Sequence, residues 1–93
     1  MVVASHTWQL SLPGCGSLKE KRSVVRSLKD RLRGRFNLSV AETGHQDVHV
    51  RAEISVALVA TDRRFAETGL DKADRLVSGN GRAVVIDSRR DFH

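Results

Sequence analysis

The chain has 93 residues, 16 Lys+Arg against 11 Asp+Glu for a net charge of +5, and 40% apolar residues. That is the composition of one folded domain over 1–93 rather than of a disordered chain, and it buries too little surface to enclose a large cofactor cavity. A single cysteine, Cys15, excludes an intrachain disulfide and a four-cysteine zinc site, and the lack of a disulfide framework suits a reducing cytoplasm. The first residues show no basic segment followed by an apolar one, and the longest apolar run, 56–60, is far too short to span a bilayer, so neither a signal peptide nor a membrane segment is expected.

From Val2 to Leu12 the even positions (Val2, Ala4, His6, Trp8, Leu10, Leu12) are mostly apolar and the odd ones mostly polar, the alternation of a half-buried strand. Pro13 and Gly14 stop it. Ser17 and Glu20 form an S-x-x-E capping box, and Leu18, Val24, Val25, Leu28 and Leu32 share one side of a helical wheel, so a helix is expected over 17–33 with Gly34 as a left-handed terminator. Phe36, Leu38 and Val40 alternate as a second strand ending near Glu42 and Thr43, and 44–47 is the turn. The third strand is expected over 48–60, with Val48 to Ala60 apolar on one face and His49, Arg51, Glu53 and Ser55 on the other. Asp62 caps a second helix carrying Phe65, Ala66, Leu70, Ala73, Leu76 and Val77, with Gly69 as a weak point and 79–81 as its end. Ala83 to Ile86 reads as a short fourth strand, followed by a polar tail over 88–93.

The order β-α-β-β-α-β with a central hairpin predicts an α+β, ferredoxin-like sandwich: a four-stranded antiparallel sheet with two helices on one face, placed there by right-handed crossovers.

The charge is not spread along this frame. Residues 19–35 hold eight basic side chains and two acidic ones, whereas the remainder of the chain holds eight basic and nine acidic. At 3.6 residues per turn, with Leu18 at zero, Lys29, Arg22, Arg33, Arg26 and Lys19 fall at about 20°, 40°, 60°, 80° and 100°, a narrow stripe roughly 20 Å long. Like charges at i,i+4, such as Arg22 and Arg26, cost a few tenths of a kcal/mol, which an anionic partner would relieve. The pattern points to RNA or a ribosomal particle held by its phosphates through Lys19, Arg22, Arg26, Lys29 and Arg33, with Arg35 extending the patch. Four to five such contacts give a log-log salt slope of about −3 to −5. The open sheet face carries Val3, Ser5, Thr7, Gln9, His49, Arg51, Glu53 and Ser55, which is no aromatic platform for bases, and Trp8, Phe36 and Phe65 are assigned to the core. Contact is therefore expected to read shape and phosphates. A solvated helix face or an acidic protein partner are the competing readings of the same stripe.

Other constellations are weaker. His45, Asp47 and His49 at i, i+2, i+4 would project to one side of an extended segment, with Glu42 nearby, and imidazole and carboxylate are metal ligands. Cys15 precedes a helix N-terminus, where a thiol pKa falls, but no orienting third group accompanies it. Residues 14–19 resemble an anion-cradling loop without matching a nucleotide-binding glycine motif. Arg51 and Glu53 are expected to form an ion pair across the sheet or a dimer face, and His6 is a core or rim histidine. No catalytic residue, metal or cofactor is assigned, so a small metal or thiol enzyme ranks last.

The strings Leu12-Pro13-Gly14, Ser17-Leu18-Lys19-Glu20-Lys21-Arg22, Leu28-Lys29-Asp30-Arg31-Leu32, Phe36-Asn37-Leu38-Ser39-Val40-Ala41-Glu42 and His45-Gln46-Asp47 resemble the YlxP-like family of small bacterial proteins, over roughly residues 2–87. The resemblance implies a ferredoxin-like domain of unknown function, encoded in many bacteria beside translation-initiation and ribosome-maturation factors, and so an association with ribosome assembly or ribosomal RNA. The family's usual aromatic after the His-Gln-Asp turn is replaced here by Val48-His49-Val50. It brings no catalytic residues to transfer. The alternative from another functional class is a homo-oligomeric ligand-binding or regulatory module, with two copies pairing through the open sheet face or an edge strand.

Overall fold

A computed structural model of the chain describes every residue except Phe36 and, of Arg35, the backbone only. The elements are β1 (Val2–Ser11), α1 (Leu18–Arg35), β2 (Ser39–Gly44), β3 (Arg51–Ala60), α2 (Arg63–Ser78) and β4 (Val84–Phe92). The sheet order is β2-β3-β1-β4 and every neighbour pair is antiparallel, which is the ferredoxin-like arrangement.

β1 and β3 form its centre, in unbroken register from Val2 opposite Ala60 to Ser11 opposite Arg51. That register stacks Ala4, Trp8 and Leu10 of β1 beside Leu58, Ile54 and Ala52 of β3 on the face that the helices cover. Val24, Val25, Leu28 and Leu32 of α1 and Ala66, Leu70, Ala73 and Val77 of α2 complete the core. The alternation in the two central strands and the helical spacing of these apolar residues are borne out.

The boundaries differ from the expectations at several points. The third strand begins at Arg51, not Val48, because His45 takes a left-handed backbone (φ 57) and the Val48 N–H closes a turn onto the His45 carbonyl at 3.0 Å. Beyond Ser11, Pro13 offers no N–H to the ladder, and a last bond from the Leu12 N–H to the Val50 carbonyl (2.9 Å) ends the pairing. Gly34 is no left-handed terminator: α1 runs through it to Arg35, and no glycine among the described residues has positive φ. The capping box is offset by one residue. Ser17 Oγ accepts from the Glu20 N–H (3.2 Å), but the Glu20 carboxylate accepts from the Gly16 N–H (3.1 Å).

The largest difference is at the C-terminus. Residues 88–93 are not a tail: β4 extends to Phe92, pairing Ser88 with Trp8 and Phe92 with Ala4, and His93 exchanges backbone bonds with Val3. A bulge where Gln9 and Leu10 face Asp87 and Val85 leaves Ile86 unpaired. The segment has weak strand propensity, but β1 offers it a long row of backbone partners, and charged residues suit a sheet edge. Phe36, read as a strand and core residue, lies outside the described residues. Phe65, assigned to the core, is 68% exposed, because it stands one residue, about 100° of helix, from the buried line that starts at Ala66.

Candidate nucleic-acid interface

α1 lies over the β2 side of the sheet and presents its outer face to solvent. Lys19, Arg22 and Arg26 are exposed and line one shallow trough of about 630 Å³ together with Ser23, Ser27, Asp30 and Arg31. Among the described residues none of these three cations has a carboxylate within ion-pair distance. The other members of the expected stripe are placed differently. Lys29 is half-buried at the margin of the core. Arg33 donates from Nη2 to the Val40 carbonyl at 2.8 Å, tying the end of α1 to β2. The side chain of Arg35 lies outside the described residues. Arg31, which the wheel separates from the stripe, joins the trough from its other flank.

One cation of the basic segment is withdrawn altogether. Lys21 is 1% exposed, and its Nζ lies 2.9 Å from Glu42 Oε2 on β2 and donates to the His45 carbonyl. The signal was present in the sequence: Lys21 falls at about 300° on the wheel, between Leu28 and Leu32 and in the middle of the apolar face. The paired lysine fixes α1 against β2 and the 45–50 turn, which sets where the outer cations point.

Two amides of the glycine loop before α1 are engaged within the chain and so do not point at an anion: Cys15 N–H goes to the Leu12 carbonyl and Gly16 N–H to the Glu20 carboxylate. The Glu20 charge also opposes a phosphate there. Cys15, placed before α1, is buried in the core as a small apolar side chain. The turn at 45–50 breaks the extended spacing of His45, Asp47 and His49. Among the described residues no group of three or more His, Cys, Asp or Glu is arranged to hold a metal ion.

Two further polar clusters complete the picture. On the open sheet face Thr7 and Thr43 both bond the Ser55 hydroxyl at 2.8 Å, and Gln9 Nε2 donates to Glu53 at 2.6 Å. The Thr43 and Gln9 bonds hold the Glu53 carboxyl below the usual carboxylate range, and among the described residues these, rather than Arg51, are its partners. Under α2, Trp8 Nε1 donates to Asp74 (2.8 Å) and Arg90 bridges Asp71 (2.8 Å) to His6 Nδ1 (3.0 Å). Burial, reinforced by the Arg90 charge, holds the His6 pKa below its ordinary value. This cluster was missed because Arg90 belonged to the supposed tail, although Ser88, Arg90 and Phe92 alternate as a strand would.

The molecule is thus a ferredoxin-like α+β domain whose first helix carries a cationic face with no ion-pair partner among the described residues. Residues 3–90 match the sequence profile of a family described as Protein of unknown function (DUF503), and the chain belongs to that family. It is 39% identical over 57 residues to a protein of Bacillus subtilis (strain 168) named Uncharacterized protein YlxP. That alignment covers 61% of this chain and 62% of the relative's length. The expected resemblance to YlxP-like proteins is borne out. No helix among the described residues is long and apolar enough to cross a membrane.

Proposed function

We propose that this protein binds structured RNA, as such or within a ribosomal particle, by its phosphates through the outer face of α1, without catalysing a reaction. The observation that carries the reading is the trough of Lys19, Arg22 and Arg26, where cations stand side by side with no carboxylate partner among the described residues. Self-repulsion of that kind is relieved by a polyanion. The ribosomal association implied by the family resemblance is consistent with it. With Arg31 as a fourth contact, the log-log salt slope is about −3 to −4.

The test is the double reversal Arg22→Glu/Arg26→Glu, with retention of structured RNA followed by fluorescence anisotropy at low salt. Retention is lost while the unfolding free energy moves by no more than about 0.5 kcal/mol, since both side chains are exposed. Unchanged retention would leave α1 a merely solvated face. Sedimentation supplies an independent check, because a stable dimer that hides the trough would favour the oligomeric module instead.

A further inference from the structure

Resting on that reading, we infer that α1 is shaped for the minor groove of an A-form RNA duplex and that Asp30 selects RNA over DNA. The lining of the trough is ordered around the helix axis. Long cations flank it, Arg22, Arg26 and Lys19 at about 40° to 100° and Arg31 at about 220°, with short side chains between them: Asp30, Ser23 and Ser27 at about 120°, 140° and 180°. Long donors at the margins and short polar groups in the middle match a wide, shallow groove that carries phosphates at its rims and 2′-hydroxyls on its floor.

Other nucleic acids fit less well. No aromatic side chain among the described residues lines the trough, so a single strand finds only the arginine guanidinium planes to stack on. The minor groove of B-DNA is about 6 Å wide, narrower than a helix of about 10 Å. Its major groove admits a helix, and serine and aspartate can contact base edges there, but it lacks the 2′-hydroxyl donors, and the bidentate Asn, Gln or central Arg of a strong base reader is absent from the middle of this lining.

Asp30 is the residue that a general phosphate-binding face does not explain. Its carboxylate lies among the cations, opposes a polyanion, and has no ion-pair partner among the described residues. An ionised carboxylate only accepts hydrogen bonds. In an A-form minor groove the ribose 2′-hydroxyls supply donors for it, and a DNA duplex lacks them. Ser23 and Ser27, about 6 Å apart along the axis, extend the same row with groups that donate or accept.

The experiment measures binding of the full chain to a 20-base-pair RNA duplex, the DNA duplex of the same sequence and one RNA strand alone, by anisotropy at fixed salt. The wild type prefers the RNA duplex over DNA by roughly tenfold, the scale of one charge-assisted hydrogen bond. Asp30→Ala tightens DNA binding and collapses that ratio, and Ser23→Ala/Ser27→Ala weakens the RNA duplex while leaving DNA unchanged. Equal affinity for the two duplexes, tighter binding of the single strand, or an Asp30→Ala ratio equal to wild type overturns the inference and leaves RNA binding through α1 standing. Failure to bind any of the three overturns the proposed function and this inference with it.

Discussion

The two helices lie on the same face of one sheet, yet they differ in how much of their charge the fold engages. α2 carries four basic and three acidic residues and wires several of them into the fold: Asp71 to Arg90, Asp74 to Trp8, Arg63 to Glu67 and over the Phe92 ring at 4.3 Å. α1 carries eight basic residues and two acidic ones, buries one cation against Glu42, ties another to the Val40 carbonyl, and leaves Lys19, Arg22 and Arg26 on its outer face with no carboxylate partner among the described residues. On α2 the exposed Arg64, Lys72 and Arg75 likewise have no carboxylate partner among the described residues, so it is the side-by-side clustering of cations on α1, and not the lack of partners alone, that marks its outer face as the surface to test.

The sharpest break of this comparison is removal of residues 88–93. It takes away the β4 segment opposite Ala4 to Trp8, together with Arg90 and Phe92, which hold α2. The loss is on the order of the whole stability of a small domain, 5 kcal/mol or more, and the shortened chain shows no cooperative unfolding transition by circular dichroism. A true tail would leave the melt unchanged.

Next in size is Glu42→Ala, which leaves the Lys21 cation buried without its counter-charge and costs about 3 kcal/mol or more in denaturant unfolding. Adding Lys21→Met recovers most of that loss, because the position lies among apolar neighbours. Non-recovery would mean that the lysine does more than occupy the core.

The α2 side carries a pH signature. The folded-state pKa of His6 is held below its ordinary value, so the unfolded chain takes up the proton first and stability falls as pH drops below about 6.5. The Glu53 carboxyl, also held low, adds its own loss only below about 4.3, where the unfolded carboxylate begins to protonate ahead of the folded one. Thermal midpoints at pH 7.5 and 5.5 show the first loss, and His6→Gln flattens it. An unaltered slope in that variant would assign the effect to another group.

The smallest expected effect is on α1 itself. Gly34 sits inside the helix with negative φ, and a Cβ there meets nothing within 4 Å among the described residues. Gly34→Ala therefore stabilises by about 0.5–1 kcal/mol, whereas at a left-handed terminator it would destabilise.

Much of this molecule was legible along the chain because short-range periodicity reports directly on burial. The alternation around Trp8 and Ile54 and the helical spacing of Leu28, Leu32, Leu70 and Val77 describe the same core that the fold encloses. Legibility failed where the deciding contact was remote in sequence. Asp87 to Asp91 is strand only because β1 lies beside it, whereas at Val48 to Val50 a turn set by the left-handed His45 overrides the alternation. In the candidate site, the cationic stripe was readable as a stripe, but the separation of Lys19, Arg22 and Arg26 from Lys29 and Arg33 depends on how α1 rolls against β2.

The sequence by itself determined the element order, the apolar faces and the concentration of positive charge between residues 19 and 35, since each is a property of neighbours a few positions apart. Only the tertiary structure decided which of those charges are internal. Whether a lysine is a ligand for the fold or for something else depends on whether a carboxylate or carbonyl from a distant strand reaches it, as Glu42 and the His45 carbonyl reach Lys21 and no described carboxylate reaches Arg22.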